Sequence, residues 1–462
     1  MTDIYNKFEH FEVEQSLFDI RIANIDLWER IRFNLFRKIS EQSGAGQAHT
    51  LIEQNLTDNL KGGMMLIKNT VRRNPYLGEE SDVVFIGHPR RKKMNDACWR
   101  DIYCDPVHES CRFDYIHLEF PRLLNHKQPA CTENLRYLDV VKYGSKLQRI
   151  LGVRCPELPE NMRRELINIQ KAIRDRFGAD IDFVSLVQRE LNIRNTRLWM
   201  YRRLLNRIDP EVAVIVVSYG KETFIEACQE RNIPVVELQH GIIHSSHFGY
   251  SYPGSRTKEM FPDYLFVWGD FWKKSVDYPI PDERVIPVGY PYLEETVQRY
   301  ADVPTRKQIL FISQGTIGEQ LSKLALDVHE HPDIEHDVVY KLHPGEYDRW
   351  ADVYPWLVDA GIKIVDEPEP PLYRLFAESG AQIGVNSTAI FEGLCFGLET
   401  YVYDCENSHT PRPLIEQGVA TEISSDSELS SVLGQGNVQF RREQFFEPNA
   451  TENICEEVEN IT

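Results

Sequence analysis

His336-Asp337-Val338-Val339-Tyr340-Lys341-Leu342-His343-Pro344-Gly345-Glu346 opens the stretch, His336 to Asp404, whose reading decides the fold. The apolar run Val338-Val339-Tyr340 reads as a buried strand that delivers His343 to its carboxyl end. A helix and a strand follow. Gln382-Ile383-Gly384-Val385 then delivers Asn386-Ser387-Thr388, which open another helix before a last strand from Glu399 to Asp404. Strands alternating with helices make a parallel sheet, and the carboxyl rim of such a sheet is where ligands bind. A helix amino end flanked by hydroxyls favours phosphate there, so the expectation is a nucleotide-diphosphate or nucleotide-monophosphate donor site.

The same alternation extends outward in both directions. Immediately upstream, Gln308-Ile309-Leu310-Phe311-Ile312 reads as a strand ending in Ser313-Gln314-Gly315-Thr316, where Gly315 would let a ligand approach the backbone. Before Pro291 lies an earlier β-α-β series. Val212 to Val217 ends in Ser218-Tyr219-Gly220, and Pro234 to Gln239 ends in Gln239-His240-Gly241. Tyr264 to Trp268 and Val285 to Gly289 close the series. Its first strand, Asp82 to Ile86, leads into Gly87-His88-Pro89 and the run Arg90-Arg91-Lys92-Lys93. Such a run suits an acceptor or phosphate contact, and it equally suits a solvated charge patch.

Further strands are expected at Tyr115 to Phe120 and near Leu135, and long polar helices over residues 157–207. Leu17, Ile20, Ala23, Leu27, Ile31 and Leu35 recur at helical spacing, so residues 4–40 read as one or two amphipathic helices. With Arg30, Arg32, Arg37 and Lys38 beside that stripe, the segment fits either a membrane surface or the flank of the first domain. A loop at residues 43–47 and a second helical segment over about 50–72 follow. The expected plan is α/β: an N-terminal helical extension (1–75), a Rossmann-like acceptor domain with a helical insertion (76–295), a Rossmann-like nucleotide-donor domain (305–425), and a C-terminal helix and tail (426–462).

Composition narrows the partners. With 52 basic against 71 acidic residues the net charge is -19, which argues against a nucleic-acid backbone as partner though not against a nucleotide. The same acidity suggests a protein kept soluble in high salt. No apolar run is long enough to span a bilayer, and Met1-Thr2-Asp3 does not begin a secretory signal, so a soluble cytoplasmic protein is expected. The nine cysteines show no CxxC spacing and read as core or surface thiols. His240, His244 and His247 would need a helix to gather them on a metal, and Gly241, Ser245 and Ser246 favour a loop. Asp180-Ile181-Asp182 stands alone in a helical region and carries no metal expectation.

The candidate chemistry centres on a few side chains. At a strand end, a neutral His240 can take a proton from a substrate hydroxyl while Gly241 admits the substrate; the other reading is a histidine that orders its loop. Pro344 fixes the turn after His343, so that imidazole can donate to a phosphate oxygen, with Lys341 adding charge. Glu346 is an exposed loop carboxylate or a sugar contact. Ser387 and Thr388 cap a helix or bind phosphate; Glu392, one turn on, can accept from ribose hydroxyls. Gly393 and Gly397 allow that helix to lie close to its sheet. No Gly-x-Gly-x-x-Gly or Walker sequence joins a strand to a helix.

Gln239-His240-Gly241, Lys341 to Glu346, and Asn386-Ser387-Thr388-Ala389-Ile390-Phe391-Glu392-Gly393 together resemble the GT-B glycosyltransferases of surface-polysaccharide assembly. The resemblance is closest to capsule-polysaccharide biosynthesis proteins and extends more distantly to bacterial sialyltransferases, Kdo transferases and CDP-glycerol glycerophosphotransferases. It covers residues 210–410. It implies donor binding by His343, Pro344, Ser387 and Thr388 and the role of base for His240; the residues themselves add Gly345, Glu392 and Gly315 to the donor site and give Gly241, His88, Arg90 and Arg91 as acceptor or phosphate contacts. The acidic catalytic motif of the sialyltransferases has no counterpart beyond Glu237. The implied activity is metal-independent and cofactor-free transfer of a sugar from a nucleotide-sugar to a glycan or lipid-linked acceptor, at the inner face of the cell membrane. Two alternatives are polyol-phosphate transfer and a catalytically inactive nucleotide-sugar-binding scaffold.

Overall fold

The computed structural model of the protein describes residues 2–22, 25–43, 56–94, 98–122, 125–150, 157–254, 256–315, 317–385, 387–405, 412–436 and 441–462. Two compact units result: Met1–Pro291 together with Asn449–Thr462, and Tyr292–Pro448.

The first unit is built on seven parallel strands: β1 (Val83–Ile86), β2 (Tyr115–Glu119), β3 (Leu135–Tyr137), β4 (Val212–Val216), β5 (Val235–Leu238), β6 (Tyr264–Val267) and β7 (Val285–Pro287). Their order is β7-β6-β5-β4-β1-β2-β3. The chain therefore moves outward from β1, returns to lay β4 on its other side, and moves outward again. β1, β4 and β5 are buried along their whole length, as strands covered on both faces must be, and their valines and isoleucines fit that pleated surface.

The second unit repeats the plan with six parallel strands: β8 (Gln308–Ile312), β9 (Asp337–Lys341), β10 (Lys363–Val365), β11 (Ala381–Gly384), β12 (Glu399–Tyr403) and β13 (Thr421–Ile423). The order β10-β9-β8-β11-β12-β13 again reverses beside its first strand. Two Rossmann-like α/β domains are thus present, the domain composition of the GT-B class.

The N-terminal helices are part of the first unit. Helices α1 (Thr2–Glu14) and α2 (Leu27–Gln42) bury Phe8, Phe11, Leu27, Trp28, Ile31 and Leu35 against α5 (Glu160–Phe177) and α6 (Phe183–Ile208). Of the two readings of residues 4–40, the flank of the first domain is the one the fold adopts. The apolar stripe is spent on protein, Arg30 is buried against Glu226 at 2.6 Å, and Arg32 is buried against Glu12. The loop expected at 43–47 lies largely outside the described residues, and the segment expected after it is helix α3 (Leu56–Arg72). Asp182 caps α6 by accepting from the Ser185 amide at 3.0 Å, and Asp180 pairs with Arg174, so the Asp-x-Asp is a helix start. No helix among the described residues is long and apolar enough to cross a membrane.

The cysteine reading needs correction. Among the described residues Cys98 bonds to Cys131 and Cys111 to Cys455, while Cys104, Cys228 and Cys395 are thiols. Partners 33 and 344 positions apart have no local spacing signature. The longer link fastens helix α8 (Ala450–Ile461) beside α4 (Asp105–Ser110), where Ile454 and Val458 join the core formed by Val83, Phe85, Val214 and Phe266.

Buried His126 sits between Glu119 at 2.6 Å and Asp139 at 2.7 Å. Burial alone would lower its pKa, but the hydrogen bonds the ring donates to the Asp139 and Glu119 carboxylates, with their charges, outweigh it and raise the value. A raised folded-state pKa means the charged pairing stabilises fully below the unfolded imidazole value of about 6.5 and fades as pH rises through the folded value. Thermal melts of wild type and His126→Gln should therefore differ most below pH ~6.5 and converge at higher pH. A constant difference would contradict this assignment.

Candidate functional site

In a doubly wound sheet the ligand crevice lies outside the carboxyl ends of the strands, where the strand order reverses. In the second unit that point lies between β8 and β11. From β8 the chain enters Ser313-Gln314-Gly315, with Gly315 exposed; from β11 it enters Ser387 and helix α7 (Thr388–Leu394). Ser387 caps α7, its hydroxyl accepting from the Ala389 amide at 3.2 Å, and Thr388 is half-buried beside it. Thr316 and Asn386 lie outside the described residues.

His343 follows β9, the strand next to β8, and is exposed together with Pro344 and Gly345. Its Nδ1 accepts from the Gly345 amide at 3.1 Å, which assigns the proton of the neutral ring to Nε2 and makes that atom a donor. Glu346 is not an exposed carboxylate. It is buried, accepting from the His343 amide at 2.8 Å, the Ser313 hydroxyl at 3.1 Å and the Tyr354 hydroxyl at 2.6 Å. The carboxylate thus ties the turn after β9 to the end of β8. Lys341 is likewise engaged, donating to the Tyr347 hydroxyl at 2.7 Å and the Glu367 carbonyl at 2.6 Å. Glu392 is half-buried on α7. A Cβ on Gly393 would collide with the Gln382 amide of β11, so glycine there sets how closely α7 lies on the sheet. Gly397 has no such neighbour; its φ of 80° is the reason for glycine.

In the first unit the reversal lies between β1 and β4. β1 ends in Gly87-His88, β4 in Ser218-Tyr219-Gly220, and the next strand, β5, in Gln239-His240-Gly241. The Tyr219 hydroxyl lies 3.1 Å from His240 Nε2, and the Tyr103 hydroxyl donates to the His240 carbonyl at 2.8 Å. His240 Nδ1 is buried with no partner among the described residues. The rings of His88 and His240 stack with centroids 6.1 Å apart. Burial depresses the His240 pKa well below the usual imidazole value, and His247, His88, Lys221 and Arg90 add to the effect. His88 is lowered to about 3 by burial, Arg90, Lys221 and Arg122. The rim therefore carries neutral imidazoles.

Behind these rings the backbone is strained. Val217 has φ 71°, a conformation costly for a β-branched residue, and the Lys221 ammonium donates to the carbonyls of Val216 and Val217 at 2.7 and 2.6 Å. Burial lowers the Lys221 pKa to about 8 against the pull of Glu237. Glu237 is fully buried, accepting from the Ser218 amide and the Tyr250 hydroxyl, so it is not a rim carboxylate. Gln239 accepts from the Trp268 amide at 2.8 Å and donates to the Gly241 carbonyl at 2.9 Å, which fixes the turn carrying His240. His244 and His247 lie in a loop, their Nδ1 atoms accepting from the Ser246 and Gly249 amides at 3.2 Å.

Of the basic run, Arg90 is exposed, whereas Arg91 is buried against Glu119 and also bonds the Thr132 hydroxyl at 2.6 Å and the Trp99 carbonyl at 3.2 Å. That corrects Arg91 from a ligand contact to an internal brace. Tyr219, Tyr103 and Lys221 join the site only in the folded chain: Tyr219 belongs to the strand-end tripeptide Ser218-Tyr219-Gly220, which the sequence marks, while Tyr103 and Lys221 act through contacts that leave no sequence pattern.

No protein-family model matches the chain, and no curated protein matches it. Among solved structures it is similar to UDP-GlcNAc 2-epimerase from Methanocaldococcus jannaschii, at 12% identity and TM-score 0.48 over 82% of this chain and 99% of that one. It is also similar to MurG from Acinetobacter baumannii, at 10% identity and TM-score 0.43 over 82% and 99%. A variant of the wall teichoic acid polymerase TagF gives 10% identity and TM-score 0.39 over 88% and 92%. Likenesses of this degree assign no activity to the chain.

Proposed function

We propose that the protein is a glycosyltransferase that moves a sugar from a nucleotide-activated donor to a glycan or lipid-linked acceptor in cell-surface polysaccharide or glycoprotein glycan assembly. The supporting observation is positional: the motifs carrying the GT-B resemblance stand at strand carboxyl ends at or next to the chain reversal of each parallel sheet. In this reading the donor belongs to the second unit. Its phosphates accept from His343 Nε2, the hydroxyls of Ser387 and Thr388 and the amides opening α7, Gly315 admits the nucleotide to the backbone, and Glu392 accepts from ribose. Pro344 and Gly345 hold the His343 turn.

The acceptor belongs to the first unit. With Nε2–H donated to the Tyr219 oxygen, His240 Nδ1 takes the proton of the acceptor hydroxyl. The acceptor oxygen then bonds to the anomeric carbon as the sugar–phosphate bond breaks and its electron pair leaves with the nucleotide. Gly241, His88 and Arg90 contact the acceptor or its phosphate. No metal or cofactor takes part in this transfer, and a lipid-linked acceptor would bring the protein to the inner face of the cell membrane.

The test is a donor panel, nucleotide-sugars and CDP-polyols, with the purified full chain and crude lipid-linked acceptors, read by product mass. A glycosylated acceptor plus free nucleotide is expected; a phosphodiester product would replace this reading with polyol-phosphate transfer, and tight binding without turnover with a scaffold. His343→Ala and Ser387→Ala should each weaken donor binding about 10-fold, from the loss of one hydrogen bond to a charged group. Wild-type donor affinity in both variants would remove the donor site from this rim.

A further inference from the structure

Beside the carboxyl end of β1 lies a buried cluster that the proposed transfer does not use. His117, in the middle of β2, is fully buried, and neither ring nitrogen has a hydrogen-bond partner among the described residues. The side chain of His108, on α4, is 3% exposed; neither nitrogen makes a hydrogen bond among the described residues, and the nearest carboxylate oxygen, Asp105 Oδ1, lies 3.5 Å from Nδ1. A neutral imidazole carries one donor and one acceptor, and such groups are rarely left unpaired in a protein interior.

Their neighbours are ligand atoms. Asp101 Oδ2 lies 3.7 Å from His117 Nε2, too far for a hydrogen bond. Two donors held tetrahedrally at about 2.1 Å from one ion stand roughly 3.4 Å apart. Cys104 Sγ completes a triplet whose donor atoms all lie within 4.8 Å of one another, and Asp105, His108 and His117 form a second triplet on the same imidazole. A Cβ on Gly87 would collide with both the Asp101 carboxylate and the His117 ring, so only glycine at that position leaves room for the pair.

Charge points the same way. Asp101, Asp105, Glu119 and Asp139 are buried together. The cations among them are Arg91, which pairs with Glu119, and His126, held between Glu119 and Asp139. Asp105 has Arg91 at 3.8 Å and the His108 ring at 3.5 Å. A divalent cation would supply the missing positive charge.

We propose that Asp101, Cys104 and His117 bind one divalent transition-metal ion of the zinc class, with His108, which shares the second triplet with His117, as a further nitrogen ligand. Mixed thiolate, imidazole and carboxylate donors suit zinc, and binding releases the Cys104 thiol proton to solvent with no change of oxidation state. The ion's role is structural. Asp101 also accepts from the amides of His88 at 3.0 Å and Tyr103 at 3.0 Å, so an ion that fixes this carboxylate fixes two residues adjoining His240.

The experiment is elemental analysis of the purified full chain, followed by removal of metal with a chelator and titration of the apoprotein with Co²⁺. About one equivalent of zinc per chain is expected, together with visible d–d bands and a near-ultraviolet thiolate-to-cobalt band on Co²⁺ addition. Cys104→Ser should abolish the thiolate band while keeping d–d absorption, and His117→Ala should lose the ion. Should His117→Ala fail to fold, the Co²⁺ titration of wild type and Cys104→Ser decides alone. Metal-free protein as purified, with no spectral change and no shift in melting temperature on adding Zn²⁺ or Co²⁺, would overturn the proposal. So would a thiolate band undiminished in Cys104→Ser.

Discussion

His240→Ala is expected to lower turnover by about 10²–10⁴-fold, the range for loss of a general base, while donor affinity in the second unit stays near that of wild type. The imidazole is anchored at one end and unpartnered at the other: Nε2 meets the Tyr219 hydroxyl at 3.1 Å and the buried Nδ1 has no partner among the described residues. Tyr219→Phe should produce a smaller loss, because it removes orientation rather than the accepting atom. The pH profile separates this role from a merely structural one. Burial and the surrounding His247, His88, Lys221 and Arg90 hold the His240 pKa well below normal, so the ring is neutral and able to accept throughout the neutral range. The acidic limb of kcat/KM, which reports the free enzyme, should therefore fall below the ordinary imidazole value of about 6.5. A limb at or above that value, or a wild-type rate in His240→Ala, would assign the proton to another group.

Much of the fold is legible in the sequence because its strands are apolar runs of valine, isoleucine and leucine that stop at glycine, histidine or serine. Val212–Val216 and Gln308–Ile312 announce themselves in this way, and their places beside the chain reversals follow from the alternation of strand and helix. His240, His343 and Ser387 were legible for the same reason, since each is among the first residues after a strand. Partnership was not. Arg91 and Arg90 are adjacent in a run that periodicity treats as uniform, yet one is buried against Glu119, 28 positions away, and the other is exposed. Glu346 looks like a turn carboxylate until Ser313 and Tyr354 arrive from other elements to bond it. Long-range pairing, including Cys111 with Cys455, leaves no periodic trace because it is set by packing.

The same limit applies to Arg32, and the second large effect is expected there. Read along the chain, it is one of four cations on an amphipathic stripe. In the fold it is buried, pairs through Nε and Nη2 with Glu12, and donates from Nη1 to the carbonyls of Phe248 and Ser251. Glu12 also accepts from the Trp28 indole at 2.6 Å. The guanidinium lies 4.5 Å from the ring centroids of both Phe248 and Tyr252, so two N-terminal helices are fastened to the loop that leaves His240. Arg32→Ala leaves Glu12 as an uncompensated buried carboxylate, for which breaking a buried pair costs about 3–5 kcal/mol. In a chemical-denaturation experiment the midpoint should fall accordingly, and Glu12→Ala should cost a comparable amount by stranding the guanidinium. The double variant Glu12→Leu/Arg32→Met should recover part of the loss, because exchanging both charges for apolar groups removes the desolvation cost together with the attraction, while the Trp28 indole loses its acceptor. That double variant isolates the loop carbonyls of Phe248 and Ser251, which lose their donor. If it regains stability but not turnover, the pair's contribution to function is to position the loop after His240; if single and double losses are additive, Arg32 and Glu12 do not act as a pair.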